Sequence, residues 1–479
     1  MSGQDLWTLE AMAAAMRARR AGPLPPAISG LSIDSRTAAK GDAFFAITGE
    51  SRDGHDFVAA ALGQGASLAV VSSARAAEMP KGAPLLIVDD VLKGLEDLAR
   101  AARARSAARI AAITGSVGKT GSKEALRLAL SAVGPTHASA ASYNNHWGVP
   151  LSLARFPASA QFGVFELGMN HAGELTPLTK MVRPHVTMVT TVEPVHLEYF
   201  GSVEAIADAK AEIFLGVEKA GAAVLNRDNG QYARLAAAAN AAGVERIVTF
   251  GEADGVDARL LKVALQGDCS IVTANILGSD VTYKLGAPGR HLVMNSLGVL
   301  ASAVLLGADL ALAAVALAQM QPPVGRGARS MLELPSGQAL LIDESYNANP
   351  ASIRAALALL AHAPVGPQGR RIAVLGDMLE LGAQAGALHQ GLAEPLRELG
   401  IDLVFCCGPC MRALWDALPP ERRGVYAADS AALQSHVLNA IRAGDAVMVK
   451  GSLGSRMGPI VRALTALSSQ NEARIQTPA

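Results

Sequence analysis

The chain has 479 residues, enough for about three domains at roughly 150 residues each. Its 42 lysines and arginines balance 42 acids, and only 18% of residues are charged, which excludes binding to nucleic acid or membrane surfaces through a basic excess. Half the residues are hydrophobic but only 4% aromatic, a globular composition that needs neither disulfides nor a metal to fold.

At the N-terminus Asp5 and Glu10 precede the apolar stretch and arginines follow it, the reverse of an export signal. Residues 1–107 read as a small α/β unit with strands near 68–72 and 85–88. A basic, Ala-rich stretch then leads into a β-run at 110–114. Strand-like runs at 163–167, 186–192, 222–226 and 247–250 follow, with helical patterns between them, the rhythm of a parallel, doubly wound sheet. Residues 258–284 alternate polar and apolar and predict added antiparallel strands.

The tract 292–320 is long enough on paper to span a bilayer. Asn295, Gly307 and Asp309 interrupt it, and a Gly C-cap followed by an Asp N-cap predicts two buried helices instead. Gln321-Pro-Pro-Val-Gly-Arg-Gly327 marks a linker. Beyond it, strands at 339–343, 372–376, 403–407, 425–427 and 446–449 alternate with helices as a second layer of nucleotide-fold-like units. The expected division is therefore residues 1–107, 108–323 and 324–479.

Cys269, Cys406, Cys407 and Cys410 are too few and too clustered for a disulfide framework, which fits a reducing compartment. Cys407-Gly-Pro-Cys410 has redox CxxC spacing, but it lies far from the start of any thioredoxin-sized unit. A structural strand-to-helix turn is the expected role.

The strongest motif is Ile113-Thr-Gly-Ser-Val-Gly-Lys-Thr120, set between a strand and a helical run. Gly115, Ser116, Val117, Gly118 and Gly121 belong to a turn whose N–H groups can point at phosphate oxygens. Lys119 would reach the β- and γ-phosphates of ATP, and the Thr120 hydroxyl would ligate Mg²⁺. Ile113 stands where the usual P-loop has its first glycine. Nucleotide binding is the expectation, against an ordinary strand–turn–helix junction.

With this loop go Ser142-Tyr-Asn-Asn145, Glu166-Leu-Gly-Met-Asn170, His196-Leu-Glu-Tyr-Phe-Gly-Ser202, Ala209-Lys-Ala-Glu-Ile-Phe214, Gly289-Arg-His-Leu-Val-Met-Asn295 and Gly325-Arg326. In that order they resemble the Mur ligase family, whose P-loop is shortened in the same way. Asp343-Glu-Ser-Tyr-Asn-Ala-Asn-Pro350, Gly376-Asp-Met-Leu-Glu-Leu-Gly382, Lys450-Gly-Ser452 and Asp34-Ser-Arg36 resemble the branch that adds a dipeptide.

The resemblance implies an α/β protein of three domains: a small N-terminal domain, a central P-loop ATPase-like parallel sheet and a C-terminal Rossmann-like domain. It implies a cytoplasmic, monomeric ligase joining D-alanyl-D-alanine to UDP-N-acetylmuramoyl-tripeptide, with ATP and Mg²⁺. Glu166 and His196 become metal ligands, and Lys210 a third once carbamylated. Asn295 would contact adenine, Arg326 the γ-phosphate, and Asp343 or Glu344 the nucleotide. Ser35, Arg36, Asn144, Asn145, Tyr346, Asn347, Asn349, Lys450 and Ser452 would hold the other substrates.

Each residue also has a plainer reading. Glu166 could be a solvated strand end, His196 a packed histidine, Lys210 a solvated helix lysine and Arg326 a linker charge. A P-loop kinase or motor, a non-catalytic relative and a sister ligase adding one amino acid are the rival functions. The first would need no third α/β domain. The second would have lost Lys119, Glu166 or His196, and the segment from Tyr346 to Pro350 argues against the third.

Overall fold

The computed structural model describes residues 5–140 and 142–475, with side chains through residue 467. Three mixed α/β units follow one another along the chain, each around its own main sheet.

The first sheet runs Arg19–Ala21, Leu85–Val88, Leu68–Ser72, Asp42–Phe45, Gly30–Ser32, all parallel except the antiparallel first strand. Helix Val91–Ala104 starts where the Asp90 carboxylate accepts from the Lys93 N–H at 2.8 Å. Its apolar face does not stop at the unit's edge. Trp7, Leu95 and Leu98 share one buried cluster with Val149, Leu153 and Phe165, and Trp7 Nε1 donates to the Ala154 carbonyl at 2.9 Å. A chain lacking residues 1–100 is therefore expected to expose that core and aggregate on expression. A soluble truncation with a cooperative melt would contradict the shared core.

The second unit contains β1 (Arg109–Thr114), α1 (Lys119–Ser131), β2 (Phe162–Glu166), β3 (Val186–Val189), α2 (Val203–Ala211) and α3 (Arg290–Leu305). Its nine-stranded sheet has β1 between β2 and β3, and the chain leaves β1 toward opposite edges on its two sides. Such a switch point opens a crevice at the strands' C-terminal ends. Strands Ala258–Leu265, Ser270–Ile276 and Ser279–Leu285 extend the sheet as an antiparallel meander. β3 ends at Val189, short of the expected 192, because Thr190 and Thr191 turn away to bond the loop after β1. The apolar tract folds as α3 and Leu310–Ala316, with Gly307 at φ 90° and Asp309 capping the Leu312 N–H at 2.9 Å. Among the described residues no helix is long and apolar enough to cross a membrane.

The third unit contains β4 (Gly337–Glu344), α4 (Pro350–Ala361), β5 (Arg371–Gly376) and β6 (Ala446–Lys450). In its six-stranded sheet β6 lies between β4 and β5, both parallel to it. The edge strand Ala328–Leu334, unanticipated from sequence, forms an antiparallel hairpin with β4 directly after the linker.

Candidate active site

The loop after β1 is built by close approach. Gly115 sits at φ 150° and Gly118 at φ 84°. A Cβ on Gly115 would lie 1.9 Å from Thr190 Oγ1, and one on Gly118 would lie 2.4 Å from Asn295 Nδ2, so a side chain at either would be strained and would have to displace those groups. Ser116 N–H donates to the Thr191 carbonyl at 2.8 Å, and Thr190 Oγ1 donates to the Val117 carbonyl at 2.6 Å. α1 begins at Lys119, so its first N–H groups and positive dipole end face the crevice. Lys119 Nζ donates to the Gly115 carbonyl at 2.6 Å. Burial lowers its pKa, the Glu166 charge opposes that, and Arg326 adds to it, so the three charges feel one another.

Glu166 ends β2 fully buried. Its Oε2 accepts from Thr120 Oγ1 at 2.9 Å and its Oε1 from Asn144 Nδ2 at 2.7 Å, while Ser142 Oγ lies 3.3 Å from Thr120 Oγ1. The solvated strand-end reading of Glu166 is therefore excluded. A buried carboxylate beside a hydroxyl is a hard-oxygen pair. It suits Mg²⁺, which takes few protein ligands and keeps water and phosphate oxygens for the rest. No group of three or more His, Cys, Asp or Glu gathers as a metal cage among the described residues.

Lys210 is buried on α2, not solvated, and burial plus the Lys119 charge hold its pKa well below the usual lysine value. Glu212, two residues on, faces elsewhere: it accepts from the Gly173 N–H at 2.6 Å and the Thr176 hydroxyl at 2.8 Å. His196 adopts left-handed backbone at φ 54°, and its Nδ1 bonds Glu380 Oε2 from the third unit. Burial lowers the imidazole pKa against the opposing Glu380 carboxylate, and Lys119 and Lys210 lower it further.

Across the crevice the linker is pinned to β4. Asp343 Oδ2 accepts from the Gly325 N–H at 3.1 Å, and Oδ1 accepts from the Ser345 hydroxyl at 2.6 Å. The two adjacent acids have different neighbours, because alternate strand residues point to opposite faces. The Asp343 carboxylate holds the linker, whereas Glu344 faces the crevice and bonds Lys450 Nζ at 3.0 Å. Lys450 also donates to the Asn347 carbonyl at 2.9 Å. Arg326 lies 4.1 Å above the Tyr346 ring, with Nη2 3.5 Å from Ser142 Oγ. It spans from linker to P-loop side.

Together these surfaces enclose a cavity of about 690 Å³. The second unit contributes Ser116 through Gly121, Asn144, Glu166, His196 and Asn295, and the third Glu344, Tyr346, Asn347, Asn349, Lys450 and Ser452, with Arg326 at the linker. Asn295 enters from within α3, which starts at Arg290. Several polar groups also support the backbone. Asn349 caps α4 by accepting from the Ser352 N–H at 2.8 Å, and Ser452 Oγ accepts from the Leu379 N–H at 2.9 Å.

Other expected residues lie outside the cavity lining. Asn145 Oδ1 accepts from the Gly148 N–H at 2.9 Å and the Trp147 N–H at 3.2 Å, in the turn that leads into helix Gly148–Ala154. Ser35 and Arg36 sit on the first unit, where the Arg36 guanidinium pairs with Asp34 at 2.6 Å and is 83% exposed. Sequence reasoning gave no role to Glu380, Ser142 or Thr190; only the motifs around Glu380 and Ser142 flagged the first two.

The surroundings of the CxxC turn favour protonated thiols over thiolates. Burial pushes the Cys407 thiol up to about 12, and Cys406 and Cys410 are also raised, with Asp377 adding to all three. The Asp377 carboxylate caps the helix that follows, accepting from the Met411 N–H at 2.8 Å. At pH 7.5 iodoacetamide is therefore expected to label Cys410 slowly and Cys406 and Cys407 hardly at all, with no loss of activity under mild oxidant. Fast labelling of Cys407 by mass spectrometry would overturn the structural reading.

Three family models match in order: "Mur ligase family, catalytic domain" over residues 27–103, "Mur ligase middle domain" over 113–303 and "Mur ligase, glutamate ligase domain" over 332–453. The chain is 34% identical to the UDP-N-acetylmuramoyl-tripeptide–D-alanyl-D-alanine ligase of Escherichia coli K12, over 91% of this chain and 94% of that one. It is 30% identical to the enzyme of the same name from Rickettsia prowazekii, over 90% and 94%. A crystal structure of MurF from Acinetobacter baumannii superposes with TM-score 0.81 at 29% identity, covering 96% of this chain and 99% of that one. MurF ligase from Thermotoga maritima in complex with ADP shares the fold, with TM-score 0.73 at 23% identity over 92% and 98%.

Proposed function

We infer, for a chain that belongs to the Mur ligase family, that it joins D-alanyl-D-alanine to the terminal carboxylate of UDP-N-acetylmuramoyl-tripeptide in peptidoglycan precursor synthesis, using ATP. The observation that carries this reading is the crevice itself. A P-loop and a buried Glu166–Thr120 pair face Arg326, Glu344 and Lys450 across a linker, in a chain related over nine-tenths of its length to ligases of that name.

A carboxylate does not acylate an amine unaided. In the proposed path, the tripeptide carboxylate oxygen attacks the γ-phosphorus, the bond to the β-phosphate oxygen breaks, and ADP leaves. The dipeptide amine then attacks the acyl phosphate carbonyl, the C–N bond forms, the C–O bond to phosphate breaks, and the amine's surplus proton is lost. Lys119 and Arg326 offset charge on the transferring phosphoryl group, and the α1 N-terminus cradles the phosphates. Mg²⁺, when bound at Thr120 and Glu166, would supply further charge neutralisation there.

We assign the UDP-muramoyl end to residues 1–107 through Ser35 and Arg36, with Asn145 of the next domain helping to hold it. Nucleotide goes to 108–323, with Asn295 near the base. Residues 324–479 close over ATP and take the dipeptide. The crevice is completed within one chain, which suits a monomer, and four free thiols suit the cytoplasm.

For Lys210 we propose carbamylation. The amine kept neutral by burial adds CO₂, releases a proton and becomes a carboxylate-like oxygen donor beside the cation. Lys210→Ala is expected to lower kcat about 100-fold, with partial recovery in added formate or acetate. Parent-like turnover, or no labelling of Lys210 from ¹³C-bicarbonate in NMR, would remove the modification. For the function itself, the enzyme given ATP, UDP-muramoyl tripeptide and D-alanyl-D-alanine is expected to yield a nucleotide product heavier by the dipeptide less one water. An unchanged nucleotide mass would contradict the assignment.

A further inference from the structure

Glu380 is a crevice residue for which the reaction above has no use. It lies four residues beyond β5 in the third unit, at the left-handed φ of 62°, which a residue with a side chain rarely adopts. Facing it from the second unit is His196, also left-handed at φ 54°. Two bonds join the segments that carry them across the crevice. The Glu380 carbonyl accepts from the Glu198 N–H at 3.2 Å, and its Oε2 takes the His196 Nδ1. Backbone strain on both sides therefore meets at one contact between units.

An ionised carboxylate can only accept, so in a neutral His196 ring bonded to it Nδ1 carries the hydrogen and Nε2 keeps the lone pair. We propose that Glu380 is a positioning residue. By holding Nδ1–H it fixes the imidazole in the tautomer and orientation that leave Nε2 free to bind a divalent cation, so docking of the third unit completes the histidine arm of the cation site. This rests on the reading of His196 as a metal ligand. It goes beyond that reading by naming what orients the ring and by coupling cation binding to closure.

The full-length enzyme, with Mn²⁺ as the probe and a non-hydrolysable ATP analogue present, gives the test. Mn²⁺ affinity is read by electron paramagnetic resonance, and the His196 tautomer by ¹H–¹⁵N correlation of ¹⁵N-histidine protein. Glu380→Ala is expected to weaken Mn²⁺ binding about 10- to 100-fold and to shift the ring toward Nε2–H, with metal-free nucleotide affinity and Tm unchanged. Glu380→Gln keeps an oxygen that can accept Nδ1–H, so it is expected to retain the tautomer and recover part of the affinity. His196→Ala should bind Mn²⁺ weakly whether or not Glu380 is present. If Mn²⁺ affinity stays within about twofold of the parent in Glu380→Ala but falls in His196→Ala, only the positioning role is overturned. Unchanged affinity in His196→Ala overturns the ligand reading of His196, and the proposal with it.

Discussion

Lys119→Ala is expected to lose about 10³-fold or more in kcat while melting within a few degrees of the parent. Lys119 opens α1 at the crevice, and its amine bonds the Gly115 backbone carbonyl rather than a side chain of the hydrophobic core, so its removal costs one hydrogen bond and leaves the core packing in place. On the proposed mechanism, what disappears is a fixed positive charge where negative charge develops on the transferring phosphoryl group. Circular dichroism melts beside phosphate-release kinetics check both halves. Near-normal turnover in a folded variant would take the lysine, and the P-loop reading, out of the mechanism.

Arg326→Ala has the second large effect. The guanidinium is stacked on Tyr346 and aimed at Ser142, which itself neighbours the Thr120 hydroxyl. On the proposed reading this holds it near the γ-phosphate, and no carboxylate pairs with it among the described residues. A group so placed acts mostly on transition-state charge, so kcat is expected to fall on the order of 10³-fold while affinity for a non-hydrolysable ATP analogue changes only a few-fold. If affinity falls as much as kcat, Arg326 acts in ground-state binding. If neither moves, it is a linker charge.

Much of this was legible in the sequence because local chemistry fixes it. The β1–loop–α1 junction, the parallel strands and the Gly307–Asp309 break in the apolar tract are each written in a few adjacent residues. The linker before Gly327 is too. What escaped depends on distant partners. Asp343 and Glu344 are adjacent acids on opposite strand faces, and their partners, Gly325 of the linker for one and Lys450 for the other, lie far from them in the sequence. Asn144 and Asn145 are identical side chains with different duties, one on Glu166 and one on a helix start. The burial of Lys210 comes from neighbours that helical periodicity does not reveal. The His196–Glu380 contact joins residues 184 positions apart, beyond any local signal.

The most direct measurement is phosphate release from ATP by the purified enzyme, with UDP-muramoyl tripeptide as the acceptor and the amine varied. D-alanyl-D-alanine is expected to drive steady turnover with one phosphate and one amide bond per ATP. D-alanine, L-alanine or no amine should give at most a single enzyme-bound turnover, the acyl phosphate waiting for its nucleophile. Steady release without any amine, or equal rates with single amino acids, would contradict a dipeptide-adding ligase.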